Sequence, residues 1–131
     1  MTDYANTRSD NVATDETGSL IAASKVEGTS VYNREGESLG SVYDLMIGKR
    51  SGEVAYAVMS FGGFLGMGQT YHPLPWNMLE YDERQGGYVV DLDKERLQNA
   101  PHYGANDTPD WSDAQYGRQI DDYYSVPRRG L

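Results

Sequence analysis

The chain has 131 residues, no cysteine and a formal net charge of −9, from 20 Asp and Glu against 11 Lys and Arg. That length suits one modest domain with a small core, and the lack of cysteine excludes disulfides, thiolate metal sites and thiol nucleophiles. The acidic balance opposes both direct nucleic-acid binding and docking on anionic lipid.

Residues 1–19, "MTDYANTRSDNVATDETGS", are polar, without hydrophobic periodicity or the apolar core of a secretory signal, and read as a disordered acidic arm. Residues 20–103 alternate apolar and polar positions between glycine-bearing turns, a β pattern. "GTSVYN" is the first strand, followed by a turn carried by Asn33 and Gly36; "LGSVYDLMIGK" is the second, turning through Gly52. "VAYAVMSF" is the third and the most strand-like. "TYHPLPW" and "MLEYD" are two short strands, the first confined by Pro73 and Pro75 to an edge or a bend. After the turn "DERQGG", "YVVDL" closes the set. The expected fold is mainly β: a small six-stranded antiparallel β-barrel joined by hairpins. Val42, Leu45 and Val58 are its interior candidates, with the inward register left open because both strand faces carry apolar residues.

A short helix, "DKERLQNAP", follows with Asp93 as N-cap and Pro101 just past its end. Residues 104–131 form a polar tail with one short amphipathic helix. Ser112 and Gln115 stand at capping-box spacing there, and Tyr116, Ile120, Tyr123 and Tyr124 share one face. Gly117 costs that helix about 1 kcal/mol relative to alanine, so it is expected to dock on something.

The run "SFGGFLGMGQTYHPLPW" looks at first like a phosphate loop. A Walker loop needs Lys-Ser/Thr after its last glycine and then a helix, whereas Gly68 is followed by Gln69, Thr70 and two prolines. The spacing of Gly62, Gly63, Gly66 and Gly68 also misses the dinucleotide fingerprint. A hairpin loop whose glycines permit positive φ fits better. Its apolar residues Phe64, Leu65 and Met67 either plug a barrel end or form a contact patch.

Ordered together, "VYNREGESLGSVYDLMI", "SGEVAYAVMSFGGFLGMG", "HPLPWNML" and "LQNAP" resemble the PRC-barrel domain, with Gly40–Val42–Asp44, Gly62–Gly63 and Pro75–Trp76 as its steps. That barrel is shared by the photosynthetic reaction centre H subunit and the C-terminal half of a ribosome maturation factor. The resemblance implies a small barrel used as a protein-contact module, and structural roles for Gly40, Gly62 and Gly63. The chain carries neither the H subunit's membrane anchor nor the ribosome factor's second domain, so it is similar to free-standing bacterial members, which tend to form dimers.

Chemistry-bearing residues are sparse. His72 and His102 are the only histidines and lack metal-ligand spacing, so His72 reads as a surface or rim residue. Asp91, Asp93 and Glu95 lack the glycine and distal glutamate of a calcium loop. Asp44, inside an apolar strand, is expected to be a structural carboxylate accepting backbone N–H groups at a bulge or turn. A proton-relay role for it follows only from the H-subunit resemblance. No nucleophile–base pair is legible, and no catalysis, cofactor or metal is expected.

The expected function is a cytoplasmic, non-catalytic protein-interaction or scaffolding module, forming a homodimer and meeting a protein partner of unknown identity, without membrane insertion. Alternatives are an accessory subunit of a membrane electron-transfer complex, a ribosome or RNA-processing accessory protein, and a small-ligand-binding barrel. The candidate contact surface is Phe61, Phe64, Leu65, Met67, Trp76, Trp111, Tyr116, Ile120 and Tyr124. A barrel of this size has little room inside for so many aromatics.

Overall fold

Every strand read from the sequence forms, and its turns obey local chemistry. The computed structural model describes residues 19–62 and 68–126. Helix α1 (Ala23–Val26) precedes β1 (Ser30–Tyr32), β2 (Ser38–Ile47), β3 (Val54–Phe61) and β4 (Thr70–Pro75). A 3₁₀ turn (Trp76–Met78) leads to β5 (Glu80–Asp82) and β6 (Gly87–Val89); α2 (Lys94–Gln98), β7 (Tyr103–Gly104) and α3 (Ala114–Tyr124) follow. The β1–β2 turn is held by Asn33, which is 1% exposed. Its Oδ1 accepts from the Glu35 and Glu37 N–H groups, and Gly36 takes φ +87°. Asp82 likewise accepts from the Arg84 N–H in the β5–β6 turn.

The strands make one seven-stranded sheet in the order β5-β6-β1-β2-β3-β4-β7. The expected six-stranded antiparallel barrel is corrected in three respects. The sheet is open, with β5 and β7 as its edges. A seventh strand, β7, comes from residues assigned to the barrel's last position and the tail, and pairs with Thr70 and Tyr71. The β1–β6 pair is parallel, Val31 opposite Tyr88 and Tyr32 opposite Val89. Hairpin-sized gaps dictate antiparallel neighbours in sequence, but they say nothing about where the fifth and sixth strands return.

The central β2–β3–β4 unit gives the sheet two distinct faces. Val58 and Ser60 sit opposite Pro73 and Tyr71, and Tyr56 sits opposite Pro75; Ala57, Met59 and Phe61 alternate with them opposite Leu74, His72 and Thr70. Beyond Tyr71, β4 is an edge, as its prolines require: Pro73 and Pro75 have no N–H to offer a further strand. Helix α3 packs on β4.

Gly40 marks the closest approach within the sheet. Its φ is +154°, and a Cβ there would lie 1.9 Å from the Ser60 carbonyl oxygen. A bulge follows between Val42 and Asp44, where the β2–β3 register shifts. It turns Tyr43 outward at 55% exposure while Val42 stays buried at 1%. Val58 is buried as well, and Leu45 is half-buried against the core. Gly62, at φ +74°, leads out of β3; Gly63, Phe64, Leu65 and Met67 lie outside the described residues, as does nearly all of the expected N-terminal arm.

The tail is not separate from the sheet. Ile120 and Tyr124 of α3 belong to the same core cluster as Val31, Val42, Met59, Leu74 and Leu97. The α3 N-cap is Asp113, whose side chain accepts from the Gln115 N–H, rather than the expected Ser112. Ser112 is held one step earlier, its N–H and hydroxyl both donating to Asp110. Asp93 caps α2 as expected, accepting from the Arg96 N–H at 2.7 Å.

Candidate functional site

Two arrangements bring chemistry-bearing side chains together, one on each face of β4. On the core face lies His72, 1% exposed, which corrects its expected place at the surface. Strand alternation turns it inward, and the segment after α2 lays His102 over it, ring centroids 5.0 Å apart and 25° from parallel. Phe61 meets it edge-on at 5.4 Å. Burial, reinforced by the neighbouring His102, pulls the His72 pKa down from 6.5 to about 4.

The Nε2 of His72 lies 2.8 Å from the Thr70 hydroxyl, a Thr–His contact that the sequence reading missed. That hydroxyl also lies 3.3 Å from the Phe61 carbonyl oxygen. The hydroxyl has one proton to give, to that carbonyl or to Nε2, and the ring tautomer sets which. Nδ1 is buried without a hydrogen-bond partner among the described residues, and no carboxylate there orients the ring, as it would in a nucleophile–base–orienter set. Among the described residues, no group of three or more His, Asp or Glu side chains is placed to hold a metal ion.

The opposite face carries a row of tyrosines. Tyr43, pushed out by the β2 bulge, packs against Tyr71 of β4 with ring centroids 4.6 Å apart and the planes tilted by 46°, and Tyr71 packs against Tyr103 of β7 at 5.6 Å and 30°. Tyr103 continues the row toward Tyr116 of α3. Its hydroxyl is pushed up to about 12 by burial first, then by Tyr116, Tyr43, Asp44 and Tyr71. Trp111 packs edge-on to Tyr116 at 5.2 Å and reaches Tyr56 at 5.9 Å. Tyr43 is more than half exposed, and Tyr71, Tyr103, Trp111 and Tyr116 are all partly open to solvent. Asp44, beside this row, is exposed; its Oδ1 accepts from the Leu45 N–H at 2.8 Å, next to the bulge.

Of the contact surface read from the sequence, the structure keeps Trp111 and Tyr116 together in this row. It sets Ile120 and Tyr124 apart from any surface: they are 0% and 6% exposed within the chain's own core. Phe61 packs on His72 and Trp76 on Tyr88, both half-buried. Tyr43, Tyr71 and Tyr103 were not singled out, because they stand on three elements 28 and 32 residues apart and only sheet order aligns them.

The fold is mainly β, an open seven-stranded sheet that carries an aromatic row on one face. Residues 19–97, more than half of the chain, match the PRC-barrel domain family, and the chain belongs to that family. A search of curated proteins finds no match. Among solved structures the chain is similar to a putative 16S ribosomal RNA processing protein RimM from Pseudomonas aeruginosa, at 23% identity and a TM-score of 0.39. That likeness covers 61% of this chain and spans about half, 48%, of the Pseudomonas protein. No described helix is long and apolar enough to cross a membrane.

Proposed function

We propose that the protein is a non-catalytic interaction module that presents the tyrosine row of its sheet to a partner protein. The observation supporting this reading is the row itself: Tyr43, Tyr71 and Tyr103 packed ring against ring across three elements on a partly open face. Aromatic side chains with a polar tip concentrate at contact surfaces, because they bury large areas at low entropic cost and tolerate partial wetting. The Thr70–His72 contact lacks the third group that orients a catalytic base, since the His72 Nδ1 has no hydrogen-bond partner among the described residues.

The homodimer expected from the sequence would need a different surface. A two-fold copy meeting through this face would bring together two copies of an acidic patch holding Asp44, Asp107, Asp110 and Asp113, and facing like charges are costly. Sedimentation at micromolar concentration tests self-association.

A photo-crosslinking residue in place of Tyr43 should trap one dominant protein adduct in the native cell. The same residue in place of Tyr81, exposed at 44% on edge strand β5, should not. Absence of any adduct at position 43, with a saturable rise in melting temperature on adding a small metabolite, would favour a ligand-binding sheet instead.

A further inference from the structure

Building on that reading, we infer that the tyrosine row receives an arginine-bearing, basic segment of the partner, its guanidinium groups stacking on Tyr43, Tyr71 and Tyr103 beside Asp44. Charge selects this occupant. The three segments that build the face, residues 40–47, 68–75 and 101–116, contain no Lys or Arg and hold Asp44, Asp107, Asp110 and Asp113. All four aspartates are exposed. Asp44 acts on the Tyr103 hydroxyl, and Asp107 accepts from the N–H of Gly104, the residue after Tyr103, at 3.0 Å.

Such a surface repels nucleic acid, whose bases would otherwise suit stacked rings. It leaves a neutral proline-rich peptide without use for the aspartates. A guanidinium satisfies both halves of the site, because it is planar, stacks on aromatic faces and donates to carboxylates in the same plane. Lysine meets the charge but not the stacking. The molecule already displays this pairing internally. The Arg96 guanidinium lies 4.9 Å over the Tyr123 ring and donates to the Tyr123 carbonyl at 2.7 Å. Among the described residues, no guanidinium occupies Tyr43, Tyr71 or Tyr103 in the same way.

The test is calorimetric titration of the full chain at low salt with three peptides of equal length: alternating Gly-Arg, alternating Gly-Lys and a proline-rich neutral sequence. The Gly-Arg peptide should bind roughly fivefold or more tightly than Gly-Lys, the factor expected for a guanidinium–aromatic contact. Tyr43→Ala and Asp44→Asn, both at exposed positions, should each weaken it roughly fivefold with an unchanged melting temperature. Amide shifts should centre on residues 40–47 and 101–104. Equal affinity for Gly-Arg and Gly-Lys, or no response to Tyr43→Ala, overturns the arginine assignment. Preference for the proline-rich peptide also overturns it, while leaving the interaction module intact. Failure of all three peptides, together with loss of the Tyr43 crosslink, removes both. Deleting residues 127–131, which carry Arg128 and Arg129, should leave the affinity unchanged; a fivefold rise would show the chain's own end filling the site and overturn the partner assignment.

Discussion

Tyr56 of β3 donates its hydroxyl to Oδ1 of Asp121 on the C-terminal helix, 3.2 Å away across 65 residues of sequence. Asp121 is 5% exposed, and the ring of Tyr56 is 9% exposed under Trp111. This contact ties the tail to the sheet. Gly117 makes room for it: a Cβ at that position would lie 3.2 Å from the Tyr56 hydroxyl oxygen.

Gly117→Ala should therefore fail to deliver the roughly 1 kcal/mol that alanine adds to an open helix. The methyl crowds the Tyr56 hydroxyl, so the gain is offset by strain on its bond to Asp121. Tyr56→Phe should cost about 1.5–3 kcal/mol for a lost bond to a buried carboxylate, and in that background Gly117→Ala should recover its full helical gain. Urea melts of the four proteins check this; additive effects would deny the coupling.

Gly40→Ala should leave little folded protein, with a loss beyond about 3 kcal/mol. The added methyl meets the Ser60 carbonyl at 1.9 Å, a backbone atom locked in the β2–β3 ladder, and the φ of +154° is unfavourable for any side chain. Circular dichroism on the soluble fraction provides the measurement. A variant melting near the parent would mean that β2 and β3 can separate at little cost.

His72 should make stability fall as the solution is acidified from about pH 6.5 to about pH 4. Its folded-state pKa is lowered from 6.5 to about 4, chiefly by burial. In that window the unfolded chain binds a proton that the folded chain refuses, so unfolding is favoured as pH drops, and the contribution levels off below pH 4. At about 1.4 kcal/mol per unit, the loss is a few kcal/mol at most. His72→Gln should flatten that part of the profile in denaturant melts at stepped pH. An unchanged slope would remove the buried neutral imidazole as its cause.

Ser125 ends α3 in the left-handed region, at φ +59° and ψ +41°. There it donates its N–H to the Asp122 carbonyl, and Val126 donates to that of Asp121. Glycine suits this terminal position better than any residue with a Cβ. Ser125→Gly should stabilise by about 0.5 kcal/mol, raising the melting temperature by about 2–4 °C. No rise would indicate that the last turn is frayed in solution.

Removing residues 111–131 should unfold the domain rather than trim it. The deletion uncovers the core that Ile120 and Tyr124 seal and removes the packing of α3 on β4. Each such side chain is worth about 1.5–3 kcal/mol, a large share of the roughly 5–15 kcal/mol of a whole domain. A cooperative melt retained by residues 1–110 would overturn this.

Local chemistry was legible because it acts within a few residues. Asn33 and Gly36 dictate the first turn, Asp93 caps α2, and Pro73 and Pro75 keep most of β4 an edge. Apolar strand composition offered Val42, Leu45 and Val58 for the interior without fixing the register, and Val42 and Val58 are buried while Leu45 is half-buried; the order of glycine and proline steps pointed to the PRC-barrel family. Other features depended on which distant segments meet. The parallel return of β6 beside β1 and the recruitment of β7 leave no periodic signal, so the sheet read as a closed antiparallel barrel. His72 looked exposed because its cover, His102, arrives from 30 residues away. Ile120 and Tyr124 read as part of a contact surface on a helix that had to dock somewhere, and only the fold shows that it docks on its own sheet, over Tyr56 and against β4. The tyrosine row exists only because sheet order sets β2, β4 and β7 across one face and the bulge after Val42 turns Tyr43 into line. Short-range hydrogen bonding and backbone sterics are written in neighbouring residues, whereas burial and the makeup of a surface arise from packing between segments that sequence spacing leaves independent.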